Sequence, residues 1–148
     1  MPTPLKTRTQ NALDEGRTLI LGAQILLGAL YRAAFEPGFD KFSSISKYLV
    51  VVSLCLIVIA ITVLIMPAPH HRIVEQGRDT SEFNRFVYRV MYAGLLPFAL
   101  SFGVAVYVSA RVVSGVWTSI LSGTGTAVLA LFFWYGMGIV SRRQRRAV

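Results

Sequence analysis

The sequence has few charged residues, few acidic residues and a single cysteine. Charged residues make up 15% of the 148 positions, and only seven residues are Asp or Glu. Soluble domains normally carry about a quarter charged residues, and a soluble fold of this length could not bury the 54% of hydrophobic residues found here. The lone Cys55 excludes a disulfide framework and a cysteine-based zinc site. These shortages exclude an ordinary soluble domain and indicate an integral membrane protein.

Four apolar segments predict the fold. Tyr48–Met66 contains no charged residue, and as a helix it would span roughly 28 Å, the thickness of a hydrocarbon core. We predict one all-α domain over residues 1–148, an integral membrane four-helix bundle with helices at about 13–35, 47–67, 86–111 and 116–141. The first segment spans only if its helix continues to Phe35 and accommodates Arg32 near one end.

The distribution of basic residues predicts the orientation. The chain has 15 Lys and Arg residues and a formal net charge of +8. With four spans and both termini on one side, eleven of the fifteen lie on the side of the termini and four on the other. Because basic residues concentrate in cytoplasmic segments, both termini are predicted to be cytoplasmic.

The first segment carries a polar stripe. At 100° per residue, six side chains fall within about a third of the helix circumference: Asp14, Arg17, Gln24, Gly28, Tyr31 and Arg32. Unpaired polar groups are costly in hydrocarbon, so the stripe is predicted to face other helices or a water-filled cavity. Gln24 then forms either an interhelical hydrogen bond that fixes packing or part of a polar pathway or small-ligand site.

Polar groups near the ends of the segments offer two further candidate sites. Arg32 and Glu36 are four residues apart, which predicts an ion pair at a helix end or, alternatively, a ligand clamp. His70 and His71 are adjacent, so on a helix they project about 100° apart and make a poor chelate. With only two histidines no metal site is predicted, and the pair, helped by Arg72, is interpreted as an anchor to anionic headgroups.

Small residues and a basic tail complete the pattern. The small residues predict close helix packing or dimerisation: Gly28, Ala99, Gly103, Ser119, Gly123 and Ala127. Four arginines follow the last apolar segment: Arg142, Arg143, Arg145 and Arg146. Such a patch beside a membrane helix is predicted to bind anionic lipid headgroups, and it lacks the folded basic surface that nucleic-acid binding requires.

Several short motifs carry a resemblance to a known family. They are Glu15-x-Arg17, Gly22-x-Gln24-x-Leu26-Leu27-Gly28, Phe35-x-x-x-Phe39 and Met66-Pro67-Ala68-Pro69-His70-His71-Arg72-Ile73. From about Leu13 onward the chain resembles short bacterial membrane proteins grouped as domain of unknown function 6328. The resemblance implies a multi-pass protein of the bacterial inner (plasma) membrane and supplies no activity. It makes matching polar positions candidates for function: Glu15, Arg17, Gln24, His71 and Arg72.

The sequence favours a non-enzymatic structural or accessory membrane protein, because the loops are short and no catalytic constellation is found. No cofactor is expected, and the expected partners are the lipid bilayer and a second copy or a larger membrane complex. One alternative is an oligomeric small transporter or channel that uses the polar face of the first helix. Another is a membrane redox subunit that uses His70 and His71.

Overall fold

The computed structural model describes residues 5–73 and 80–136, and these residues form helices without any strand. The α-helices are α1 Leu5–Ala34, α2 Ser44–Ile65, α3 Pro67–Ile73, α4 Ser81–Val113 and α5 Val116–Leu131. A 3-10 turn, Phe39–Lys41, lies between α1 and α2, and a π-helical turn, Phe132–Gly136, follows α5. The predicted all-α, four-helix fold is confirmed, with the short α3 continuing the direction of the chain beyond α2.

Three helical segments are long and apolar enough to cross a membrane, counting only the residues that the structure describes: Ser44–Ile73, Ser81–Val113 and Val116–Gly136. Helix α1 is not among them, because polar and charged residues occur in both of its halves and make it less apolar than the other long helices. It begins at Leu5, well before the apolar run, since a polar sequence can continue a helix outside the hydrocarbon. That α1 also spans stays a prediction.

Capping side chains and one glycine set the helix boundaries. The Ser43 hydroxyl accepts a hydrogen bond from the Ser46 N–H at the start of α2, at 3.3 Å, and the Thr80 hydroxyl accepts one from the Phe83 N–H at the start of α4, at 3.1 Å. Such caps satisfy backbone donors that a helix leaves without partners. After α1 the chain turns at Gly38, whose φ of 137° is one that residues with a side chain rarely adopt.

Helix α4 is the centre of the bundle. It packs against α1, α2, α3 and α5, whereas α5 packs mainly against α4. One buried cluster joins α1 to the first half of α4 through Ala12, Phe83, Val87 and Met91. The outer surface is covered with large apolar side chains, as expected for helices surrounded by lipid.

Helices α4 and α5 approach each other at small residues. A Cβ atom added to Gly103 would lie 2.7 Å from the Ala127 Cβ, and one added to Gly123 would lie 2.6 Å from the Tyr107 Cβ. Ser119, on the same helix as Gly123, is fully buried. The backbones are therefore in direct contact, which is the arrangement that small residues at four-residue spacing permit in membrane helices.

A pair of serines holds α2 against α4. The Ser53 hydroxyl donates to the Ser101 carbonyl at 3.0 Å, and the Ser101 hydroxyl donates to the Ser53 carbonyl at 2.9 Å. Both residues are fully buried. From sequence, Ser101 is a candidate partner for the carbonyl that Pro97 leaves free in α4, but in the structure its hydroxyl bonds to α2 instead. The two reciprocal bonds fix the register of the two helices.

Replacing Ser53 with alanine is expected to lower the free energy of unfolding by about 1 kcal/mol, the usual size of an interhelical hydrogen bond in a membrane protein. Unfolding in a denaturing detergent, followed by circular dichroism, measures the change. Ser109→Ala is the matched control, because the Ser109 hydroxyl bonds only to the Ala105 carbonyl of its own helix. Equal losses in the two variants would contradict an interhelical role for Ser53.

Candidate functional site

Helix α1 has two faces that each repeat at alternating three- and four-residue spacing. The inner face is buried against α2 and α4 and consists mainly of small residues: Thr9, Ala12, Gly16, Ala23 and Leu30. We call the opposite, exposed set the outer face of α1: Asp14, Arg17, Leu21, Gln24, Gly28 and Tyr31. This spacing keeps residues on one side of a helix over several turns and is the spacing used when helices pair.

The outer face contains five of the six residues of the polar stripe identified in the sequence, all except Arg32. Gln24 is exposed, and no residue in the described part of the chain forms a hydrogen bond with its side chain. A Cβ added to Gly28 would meet no atom within 4 Å. Gln24 and Gly28 therefore point away from the other described helices, because the small residues of the inner face are the ones that allow α1 to approach α2 and α4.

Exposed ion pairs lie at both ends of the outer face. The Arg17 guanidinium is 2.9 Å from the Asp14 carboxylate. At the other end, the Arg32 Nε is 3.8 Å from a Glu36 carboxylate oxygen, so the pair expected from the sequence is present but loose. Exposed pairs of this kind contribute little to stability in water. The charged groups of both pairs therefore stay accessible to other molecules.

Glu15 lines a cleft between α1, α4 and the π-helical turn. The cleft has a volume of about 810 Å³, and its walls include the aromatic side chains of Tyr88, Tyr92 and Trp134. The Tyr135 hydroxyl donates to the Tyr92 carbonyl, which ties the π-helical turn to α4. Arg17, which belongs to the same sequence motif as Glu15, does not line this cleft.

Arg17 and His71 both line a second, smaller cavity. Its volume is about 280 Å³, and it lies between α1, the end of α2, α3 and α4. Two of the positions singled out by the sequence motifs are therefore brought together by the fold, although they are far apart in the chain. Arg72, the next residue, is exposed.

The two histidines pack on phenylalanine rings. The His70 ring centroid is 4.2 Å from that of Phe86, and the His71 centroid is 4.7 Å from that of Phe83. Both histidines are half-buried, and their role as an anchor to anionic headgroups stays a prediction. Sequence reasoning misses this arrangement because it depends on α3 lying beside the first turns of α4. The only sequence signal for this packing is a pair of phenylalanines three residues apart, Phe83 and Phe86, in the first two turns of the helix that Thr80 caps.

The described residues contain no group of three or more His, Cys, Asp or Glu side chains that could hold a metal ion. Glu75, which the spacing would pair with His71, lies outside the described residues. So do the arginines of the basic tail, Arg142, Arg143, Arg145 and Arg146, and the last residues of the fourth predicted helix.

Comparison with known proteins identifies the family. A model of a family of unknown function, DUF6328, matches residues 5–138, which covers nearly the whole chain. No curated protein and no solved structure matches it. The match includes α1 with both of its faces, the histidines of α3 and the close contact of α4 with α5. The chain therefore belongs to the family of unknown function DUF6328.

Proposed function

We propose that this protein is a non-enzymatic, multi-pass membrane protein that assembles with a second copy of itself through the outer face of α1. In this proposal it is a structural or accessory component of the bacterial inner membrane, with both termini in the cytoplasm. Its other partners are the lipid bilayer and its anionic headgroups. No cofactor and no nucleic acid takes part.

The exposed amide of Gln24 carries the proposal. It lies in the middle of the apolar run of α1, where an unpaired polar group in hydrocarbon costs several kcal/mol. A glutamine amide both donates and accepts hydrogen bonds. Across a twofold axis, Gln24 of one copy would meet Gln24 of the other, and each amide would supply what the other needs.

The neighbouring residues of the outer face support the same arrangement. Gly28 has no side chain and allows two helices to approach closely. Leu21 and Tyr31 are 61% and 60% exposed, and they would bury apolar surface in a helix pair. Their spacing from Gln24 places all four residues along one seam.

Disulfide crosslinking in membranes tests the pairing. In a chain carrying Cys55→Ser, the variant Gly28→Cys is expected to form a crosslinked dimer under mild oxidation, since a disulfide requires Cα atoms within about 7 Å. Leu129→Cys, on the exposed side of α5, is the matched control and is expected to remain monomeric. The amount of dimer is read from a non-reducing gel.

Two results would contradict the proposal. Comparable dimer from Gly28→Cys and Leu129→Cys would indicate random collision in the membrane. No dimer from Gly28→Cys, although the thiol reacts with a small maleimide, would show that the outer face is not paired with another copy.

A second candidate function is an oligomeric transporter or channel, favoured by the charges at both ends of the outer face and by Gln24 between them. Pairing would enclose these groups in a polar seam across the bilayer. Solute flux into proteoliposomes that is lost in Gln24→Leu, while the Gly28→Cys crosslink still forms in that background, would favour transport over a purely structural role.

A further inference from the structure

A cavity of about 910 Å³ lies at the end of the bundle where α1 connects to α2. Its walls come from the last turns of α1, the 3-10 turn Phe39–Lys41, the start of α2 and the last turns of α4. This volume is within the usual range for small-ligand sites. No residue of the outer face of α1 lines this cavity.

Three basic side chains from three separate elements line this cavity. Arg32 comes from α1, Lys41 from the 3-10 turn and Arg111 from α4. The lining contains one carboxylate, that of Glu36, which is held only loosely by Arg32 at 3.8 Å. No described carboxylate lies within ion-pair distance of Lys41 or Arg111. The cavity therefore carries an excess of positive charge that the chain itself does not neutralise.

Groups at the start of α2 add to the preference for an anion. Ser43 and Ser46 line the cavity, and their hydroxyl oxygens are 3.1 Å apart. Ser46 is only 5% exposed. The first turn of a helix carries partial positive charge and favours anions. The three basic side chains, the two hydroxyls and the start of α2 therefore all favour the binding of an anion.

The remaining wall is apolar. It is formed by Val108 and Val112, which belong to the candidate membrane span Ser81–Val113. An anion at the charged end of the cavity would therefore lie at the level where spans end and lipid headgroups begin. An acyl chain attached to that anion would continue along α4.

We propose that this cavity binds a phosphate group, carried either by an anionic lipid headgroup or by free inorganic phosphate. Arginine guanidinium groups match phosphate oxygens with two parallel hydrogen bonds, and lysine adds a point charge. Arg111 and Arg32 hold the phosphate from two sides, and Lys41 closes the cavity from the connecting turn.

Native mass spectrometry of the full chain in mild detergent tests the site with phosphatidylglycerol and phosphatidylcholine. The wild type is expected to retain phosphatidylglycerol over phosphatidylcholine, because the same cations repel the choline group. Arg111→Gln is expected to lower the affinity for phosphatidylglycerol at least about tenfold, as for the loss of a charge-assisted hydrogen bond. Arg85→Gln is the matched control, since Arg85 is an exposed arginine in the first turns of α4 and does not line the cavity.

Inorganic phosphate distinguishes the two sources. If millimolar phosphate displaces phosphatidylglycerol from the wild type, free phosphate occupies the same site. If the lipid stays bound, the site holds the lipid diester. Arg32→Gln provides a second variant that leaves packing intact, because the Arg32 side chain is 84% exposed.

Three results would overturn the proposal. Equal retention of the two lipids by the wild type would show no selection for net negative charge. A similar loss in Arg85→Gln and Arg111→Gln would show a general charge effect. Unchanged binding in both Arg111→Gln and Arg32→Gln would place the lipid elsewhere on the protein.

Discussion

Replacing Phe83 with alanine is expected to lower the free energy of unfolding by about 3–5 kcal/mol, the usual cost of truncating a buried phenylalanine. Phe83 is the largest of the fully buried side chains. Its ring packs with Ala12 of α1 and Val87 of α4, and it lies against the ring of His71 on α3. The alanine variant therefore removes a side chain that packs against all three of these helices.

Thermal unfolding in mild detergent measures this loss. Phe133→Ala is the matched control, because Phe133 is 56% exposed on the outside of the bundle, and it is expected to change stability by less than about 1 kcal/mol. If the two variants lose the same stability, the cluster around Phe83 does not hold α1 and α3 to α4.

Replacing Gly123 with alanine is expected to destabilise the protein by about 1–3 kcal/mol, the usual cost of overpacking a close contact. The added methyl group would lie 2.6 Å from the Tyr107 Cβ and 2.8 Å from the Gly103 carbonyl oxygen. Neither neighbour is the flexible end of a side chain, so α5 must move away from α4 along its length.

Gly125→Ala is the control on the same helix. A methyl group there would meet nothing within 4 Å, and alanine is a better helix former than glycine by about 1 kcal/mol. We expect Gly125→Ala to leave the melting temperature unchanged or to raise it, and Gly123→Ala to lower it. An increase in both variants would mean that helix propensity in detergent, rather than helix contact, governs the response.

The sequence was sufficient to predict the class of fold because that class follows from composition. Uninterrupted apolar runs such as Tyr48–Met66 predict helices whatever their neighbours are. The close contact at Gly103 and Gly123 could also be predicted in part. Small residues at four-residue spacing indicate that a helix approaches another closely, but they do not indicate which helix is the partner.

The direction in which α1 faces could not be predicted. Both of its faces repeat at the same spacing, and hydrophobicity favours burying neither the small residues around Ala23 nor the polar ones around Gln24. Close packing decides the outcome, because small side chains let α1 approach α2 and α4. The sequence could not show this without the shape of the neighbouring helices.

The phosphate cavity could not be predicted for a different reason. Arg32, Lys41 and Arg111 are spread over most of the chain, and no local spacing links them. Counting charges places them on the same side of the membrane. Only the return of α4 to the α1–α2 connection brings them to one cavity.

The serine pair has a consequence for the order in which the chain enters the membrane. Ser53 and Ser101 are 48 residues apart, so α2 is synthesised and inserted well before its partner exists. Until α4 arrives, the Ser53 hydroxyl can be satisfied only by a carbonyl of its own helix. Since α4 packs against α1, α2 and α5, its insertion adds the element that links the α1–α2 pair to α5.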